Sequence, residues 1–123
     1  LRVFKNTWFQ RFARKEQITD AALCDAVARA SKGFIDADLG GGLIKQRVAL
    51  PGAGKSGGYR TLVFFRAETR AVFAFGFAKN DMDNIDAADE ADLKKAAKVL
   101  LGLSDAGINE LVADGKIVEV ECG

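Results

Sequence analysis

Two apolar runs, Tyr59 to Arg66 and Arg70 to Lys79, are separated by only three residues, Ala67-Glu68-Thr69. A connection that short cannot carry a parallel crossover, which takes a dozen residues or more, so the two runs read as an antiparallel hairpin. A third strand precedes them. From Leu43 to Leu50 the residues alternate, with Leu43, Lys45, Arg47 and Ala49 on one face and Ile44, Gln46, Val48 and Leu50 on the other. One face is cationic and the other mostly apolar. Gly40-Gly41-Gly42 sets the start of this strand, and the glycine-rich stretch Pro51 to Gly58 links it to the hairpin. In the last strand Phe73, Phe75 and Phe77 share one face by strict alternation, as core packing. Val72, Ala74, Gly76 and Ala78 form a flat opposite face that could accept helices or a ligand.

The flanks read as helices with a short strand at each end. Arg2 to Lys5 is strand-like. Thr7-Trp8-Phe9-Gln10 fits a capping box, with Thr7 as N-cap, opening a short helix whose Trp8, Phe9 and Phe12 lie on one face. Thr19 or Asp20 opens a second helix, with Leu23, Val27 and Ala30 at helical spacing and Gly33-Phe34 as a Schellman end. Asp86 caps a third, running to about Leu101. Its anions Asp89, Glu90 and Asp92 come first and its cations Lys94, Lys95 and Lys98 later, matching the macrodipole. Ser104 opens a shorter helix that Gly115 ends, and Ile117 to Glu121 adds a strand. The order β-α-α-β-β-β-α-α-β predicts one small α+β domain over residues 1–123, with a mainly antiparallel sheet, an N-terminal helical arm and C-terminal helices.

Composition narrows the chemistry. The chain has 123 residues and no histidine, which removes the commonest general base and the commonest metal ligand together. No cofactor and no metal site is expected. The longest strongly apolar run, Ala71 to Ala78, is far short of the roughly 20 residues that a spanning helix needs, so no membrane partner is expected. No apolar segment follows the early cations Arg2, Lys5, Arg11, Arg14 and Lys15, so no secretory signal is visible. Cys24 reads as a buried free thiol and Cys122 as incidental, which fits a reducing cytoplasm. The net charge of +1 hides an asymmetry: residues 1–80 hold 14 Lys and Arg against 6 Asp and Glu, and residues 81–123 hold 4 against 11. Between 45 and 79 seven cations face one anion, Glu68. That stretch is either a solvated face or a polyanion site.

Gly54-Lys55-Ser56 superficially suggests a P-loop, but position 49 is alanine where the motif needs glycine, and the loop leads into a strand rather than a helix. Read together, Lys45-Gln46-Arg47, Gly54-Lys55-Ser56-Gly57-Gly58-Tyr59-Arg60 and Phe77-Ala78-Lys79-Asn80 resemble the RelE/HigB toxins of bacterial type II toxin–antitoxin systems. Asp36-Ala37-Asp38-Leu39-Gly40-Gly41 before the sheet and Asp83-Asn84 after Lys79-Asn80 extend the likeness. The resemblance implies a microbial RNase fold that enters the ribosomal A site and cuts mRNA, and a cognate antitoxin encoded beside it. The familiar part reaches about residue 100, with residues 104–121 as a helix-strand extension of unassigned role.

Cutting RNA by attack of a 2′-hydroxyl on the next phosphate needs a base, an acid and cations for the growing negative charge. Without histidine, lysines, arginines or a tyrosine must serve, and a lysine crowded by cations is a feasible base. Arg47 and Arg60 are expected at the transition-state phosphate. Lys45 and Lys55 are candidates for base or substrate clamp, and Lys79 for acid or for holding the leaving side. Tyr59 either stacks on a base, donates a proton or belongs to the core. Arg66 and Arg70 flank the turn as solvated or phosphate-steering residues. The ribosome, with mRNA as substrate, supplies positioning that a sparse site lacks. Two other readings use the same fold without chemistry: a gyrase-binding toxin, and an inactive module held by an antitoxin.

Overall fold

The computed structural model describes residues 1–49, 58–78 and 86–122. Strands β1 (Arg2–Asn6), β2 (Ala37–Gly40), β3 (Leu43–Val48), β4 (Tyr59–Arg66), β5 (Arg70–Ala78) and β6 (Ile117–Val120) form one sheet in the order β2-β3-β4-β5-β1-β6. Among the described residues only the β1–β5 pairing is parallel. Helices α1 (Thr7–Glu16) and α2 (Asp20–Ser31) cover one face, packing Phe9, Ala13, Leu23, Val27 and Ala30 on Ile44, Val48, Val63 and Phe73. Helices α3 (Ala87–Gly102) and α4 (Asp105–Ala113) cover the other, packing Ala97, Leu101 and Ile108 on Phe4, Leu43, Leu62, Phe64 and Val72. This is the α+β architecture expected, with one more strand. β2 escapes a sequence reading because it is four residues long and only half-buried at alternate positions.

The hairpin holds to the residue: β4 ends at Arg66 and β5 starts at Arg70. The phenylalanine stripe does not. Leu62 pairs with Phe75, but Val63 pairs with Phe73, so a bulge at Ala74 breaks the alternation. Phe73 therefore packs among α1 and α2, while Phe75 lies with the α3–α4 cluster and shares its face with Phe77. Gly76 stays on the face opposite Phe75 and Phe77, towards α1, where an added Cβ would sit 2.6 Å from the Phe12 ring.

The cap of α1 lies one residue earlier than Thr7. Asn6 Oδ1 accepts from the Phe9 N–H at 2.8 Å, and Asn6 Nδ2 donates to the Ala74 carbonyl, tying the cap to β5. Asn is the better N-cap of the two, and the pairing of Asn6 with Ile117 holds it at the start of the helix. Thr7 instead donates to the Lys116 carbonyl. Thr19, Asp86 and Ser104 cap α2, α3 and α4. The Schellman bonds at Gly33 form, Phe34 N–H to the Arg29 carbonyl and Gly33 N–H to the Ala30 carbonyl. Phe34 does not fold back onto the helix; it is 67% exposed.

The expectation of free thiols is overturned. Cys24 and Cys122 are joined by a disulfide, so neither is a free thiol. Their 98-residue separation in sequence concealed a closeness created by β6, which runs antiparallel to β1 and brings the tail against α2. The helix-strand extension, residues 104–121, contributes to both core clusters. Ile108 and Ile117 complete one core cluster and Val120 the other.

Candidate nucleic-acid interface

The β3–β4 register builds the cationic face. Lys45 lies opposite Leu62, and Arg47 lies opposite Arg60. Across β4, Leu62 pairs with Phe75 and Arg60 with Phe77. Residues opposite one another in neighbouring strands share a face, so Lys45–Leu62–Phe75 and Arg47–Arg60–Phe77 form two adjacent rows on the α3 side of the sheet. Lys45, Arg47 and Arg60 are thus brought together, half-buried: alternation places Lys45 with Arg47, and the β3–β4 register adds Arg60.

The reverse face of β3 fixes that placement. Gln46 is fully buried, donates to the carbonyls of Ala26 and Phe34, and accepts from the Asp36 N–H. Thr61 donates to the Gln46 carbonyl at 2.7 Å. The Arg47 backbone is gripped on both sides: its N–H donates to Asp36 Oδ2, and its carbonyl accepts from Arg29 Nη2, each at 2.6 Å. Sequence reasoning missed Arg29, Gln46 and Asp36 as the supports of this strand. A polar Gln46 on the apolar face of β3 was the one visible signal, since a buried amide must find partners.

The other candidates disperse. Tyr59 lies on the opposite face from Arg60, edge-on to Phe12, and its hydroxyl donates to Glu16 at 2.6 Å. It therefore belongs to the α1 packing. Arg70 is not solvated. Its side chain is 3% exposed, with Nη1 donating to the carbonyls of Leu100 and Leu103 and Nη2 to Asp105, so it caps the C-terminus of α3. An arginine at a turn looks exposed until a helix from elsewhere in the chain is laid over it. Arg66 is exposed at the far end of β4. Lys55 and Lys79 lie outside the described residues, as do Gly52, Gly54 and Gly57. Gly58 is described and has a backbone role. Its φ of +113° excludes side chains, and a Cβ there would collide with the Val48 carbonyl.

Among the described residues no cluster of acidic or sulfur ligands could hold a metal ion, and no helix is long and apolar enough to cross a membrane. A mostly antiparallel sheet carrying opposed arginines on one face, with two helices on the other, defines a small α+β protein. The chain matches the family model described as the RelE toxin of the RelE/RelB toxin–antitoxin system, over residues 1–120. It belongs to that family and is a toxin of a toxin–antitoxin system, which implies an antitoxin partner. The match includes α4 and β6. No curated protein matches the chain.

Proposed function

We propose that this toxin is a ribosome-dependent endoribonuclease that cuts mRNA in the cytoplasm by metal-independent attack of a 2′-hydroxyl on the neighbouring phosphate. The observation that carries the reading is Arg47 directly opposite Arg60, with Lys45 on the same face. Like charges placed directly opposite cost a sheet stability, and an anion between them offsets that cost. The pentavalent phosphate of the transition state carries more negative charge than the ground state, so two guanidinium groups aimed at it favour the transition state. Lys45, two residues along the same strand, serves as base or substrate clamp. Lys55 and Lys79 supply the remaining cationic roles from the segments that adjoin this end of the sheet.

An antitoxin must cover this face or hold it unproductive. The fitting partner segment is net acidic with apolar anchors, because charge sets partner choice and on-rate while buried anchors slow release. A groove of about 270 Å³ along α1, lined by Trp8, Arg11, Phe12 and Lys15, offers both kinds of contact.

The test is to map mRNA ends on translating ribosomes with the wild type, Arg47→Ala and Arg60→Ala. Removing one transition-state contact should lower cleavage by about 10²–10³-fold. Full cleavage by a folded Arg60→Ala protein removes Arg60 from the site. No cleavage by the wild type favours an inactive or non-catalytic toxin.

A further inference from the structure

A second cationic feature lies on the same side of the sheet as Lys45, Arg47 and Arg60, at the opposite end of β4. A cleft of about 520 Å³ opens between the β2–β3 turn, the end of β4 and α3, lined by Gly41 and Gly42, by Phe65 and Leu101, and by four cations, Arg66, Lys94, Lys95 and Lys98. The sequence suggests only that the three lysines answer the helix dipole, yet Arg66 comes from a strand remote from them in the chain. Lys94 pairs with Glu90 at 3.0 Å. Among the described residues Arg66, Lys95 and Lys98 enter no salt bridge, and all three are exposed. At Gly41 and Gly42, φ is +64° and +84°, so one wall is bare backbone. Gly42 also lets α3 approach closely, since a Cβ there would meet Leu101 Cδ1 at 2.6 Å.

We propose that this cleft docks the phosphodiester backbone of single-stranded RNA. Four cations around one cleft are suited to phosphate, which lysine and arginine contact without reading sequence. An acidic protein segment would need an apolar anchor for slow release. The two apolar side chains that line the cleft, Phe65 and Leu101, are already engaged in the core, Leu101 being 5% exposed, and none of the exposed large apolar side chains among the described residues (Leu1, Trp8, Phe34 and Val99) lines it. Arg66 shares the face of Arg60 on β4, six residues farther along, which is about 20 Å at 3.3 Å per residue. One RNA strand of several nucleotides can span that interval. The cleft would hold the strand at a distance while the opposed arginines engage the phosphate to be cut. The choice of RNA among polyanions rests on the function proposed above; the phosphate chemistry does not.

The test is fluorescence anisotropy with a labelled 15-nucleotide oligouridine from 50 to 200 mM salt. The proteins are the wild type, Arg66→Gln/Lys95→Gln/Lys98→Gln, and the same positions changed to Glu. All three positions are exposed, and melting curves check the fold. Each lost contact should reduce the salt slope by about 0.7, so the Gln variant should lose about 2 from it and bind at least about tenfold more weakly at 50 mM. The Glu variant should bind more weakly still. An unchanged slope overturns the proposal. Equal weakening towards polyglutamate assigns the cleft to acidic protein and also overturns it. A reduced slope alongside a wild type that cuts no mRNA leaves the cleft standing and refutes only the catalytic reading.

Discussion

Opening the Cys24–Cys122 bond should lower stability without unfolding the protein. The bond closes a loop across 98 positions. For a loop near 100 residues, loop-closure entropy gives at most about 4.7 kcal/mol, with about 2–4 kcal/mol typical of real disulfides. The core does not depend on the bond. β6 is paired with β1 from Asn6–Ile117 to Val3–Val120, and Ile117 and Val120 are buried in separate clusters. Unfolding entropy scales at about 2.1 cal/mol/K per residue, or about 0.26 kcal/mol/K for this chain, so 2–4.7 kcal/mol corresponds to a Tm shift of roughly 8–18 °C.

The assay is thermal unfolding followed by circular dichroism, with and without dithiothreitol, on the wild type, Cys24→Ser, Cys122→Ser and the double variant. Each single variant should melt with the double, and reductant should move only the wild type. Reduced and oxidised wild type melting within 2 °C of each other would refute the loop-closure argument. So would two free thiols in the unreduced, unfolded protein. Disulfides are uncommon in a reducing cytosol, and thiol trapping at lysis reads which form operates where mRNA is translated.

Other outcomes follow from single contacts. Arg70→Met should cost about 2–3 kcal/mol in chemical denaturation, because it strips the donors from the Leu100 and Leu103 carbonyls, yet should leave RNA affinity unchanged in the folded protein; a loss of affinity without a loss of stability would return Arg70 to the RNA surface. Gly76→Ala should cost about 1–3 kcal/mol, since the Phe12 ring that must yield is held by Trp8, Phe9 and Tyr59; an unchanged denaturation midpoint contradicts that packing. The hydrogen bond from the Arg2 guanidinium holds the Glu119 carboxyl below its ordinary 4.5. A carboxyl depressed on folding contributes stability that is complete above the unfolded value and is lost as pH falls through the folded one. Glu119→Gln should therefore be less stable than wild type at pH 7 and lose less on acidification below 4.5; parallel pH curves would sink the argument.

How much of this fold was legible depends on which interactions decided each element. β4, the turn and β5 were legible because local pattern and turn length alone determine them. The same holds for the Thr19, Asp86 and Ser104 caps, where one side chain serves its own helix. What failed was decided across the chain. Strict alternation through β5 assumes an unbroken ladder, and the ladder breaks where Phe73 packs against Phe9 of α1. The Asn6 cap depends on pairing with Ile117, more than a hundred residues away. The disulfide depends on the same β1–β6 register.

The candidate site divides along the same line. Lys45 and Arg47 were readable as neighbours because a strand's period of two places them so, whatever surrounds it. Their meeting with Arg60 required the β3–β4 register, which no local pattern contains. The sequence leaves Tyr59 open between base stacking, proton donation and the core; adjacent residues in a strand point to opposite faces, and Phe12 and Glu16 hold Tyr59 on the α1 side, away from Arg60. Arg66 and Arg70 looked alike at the two ends of one turn. α3 distinguishes them: its C-terminal carbonyls draw Arg70 inward, while its lysines line a cleft beside Arg66. A helix whose lysines the sequence explains by the macrodipole alone thus carries, on the side facing the β2–β3 turn, a cationic surface of its own.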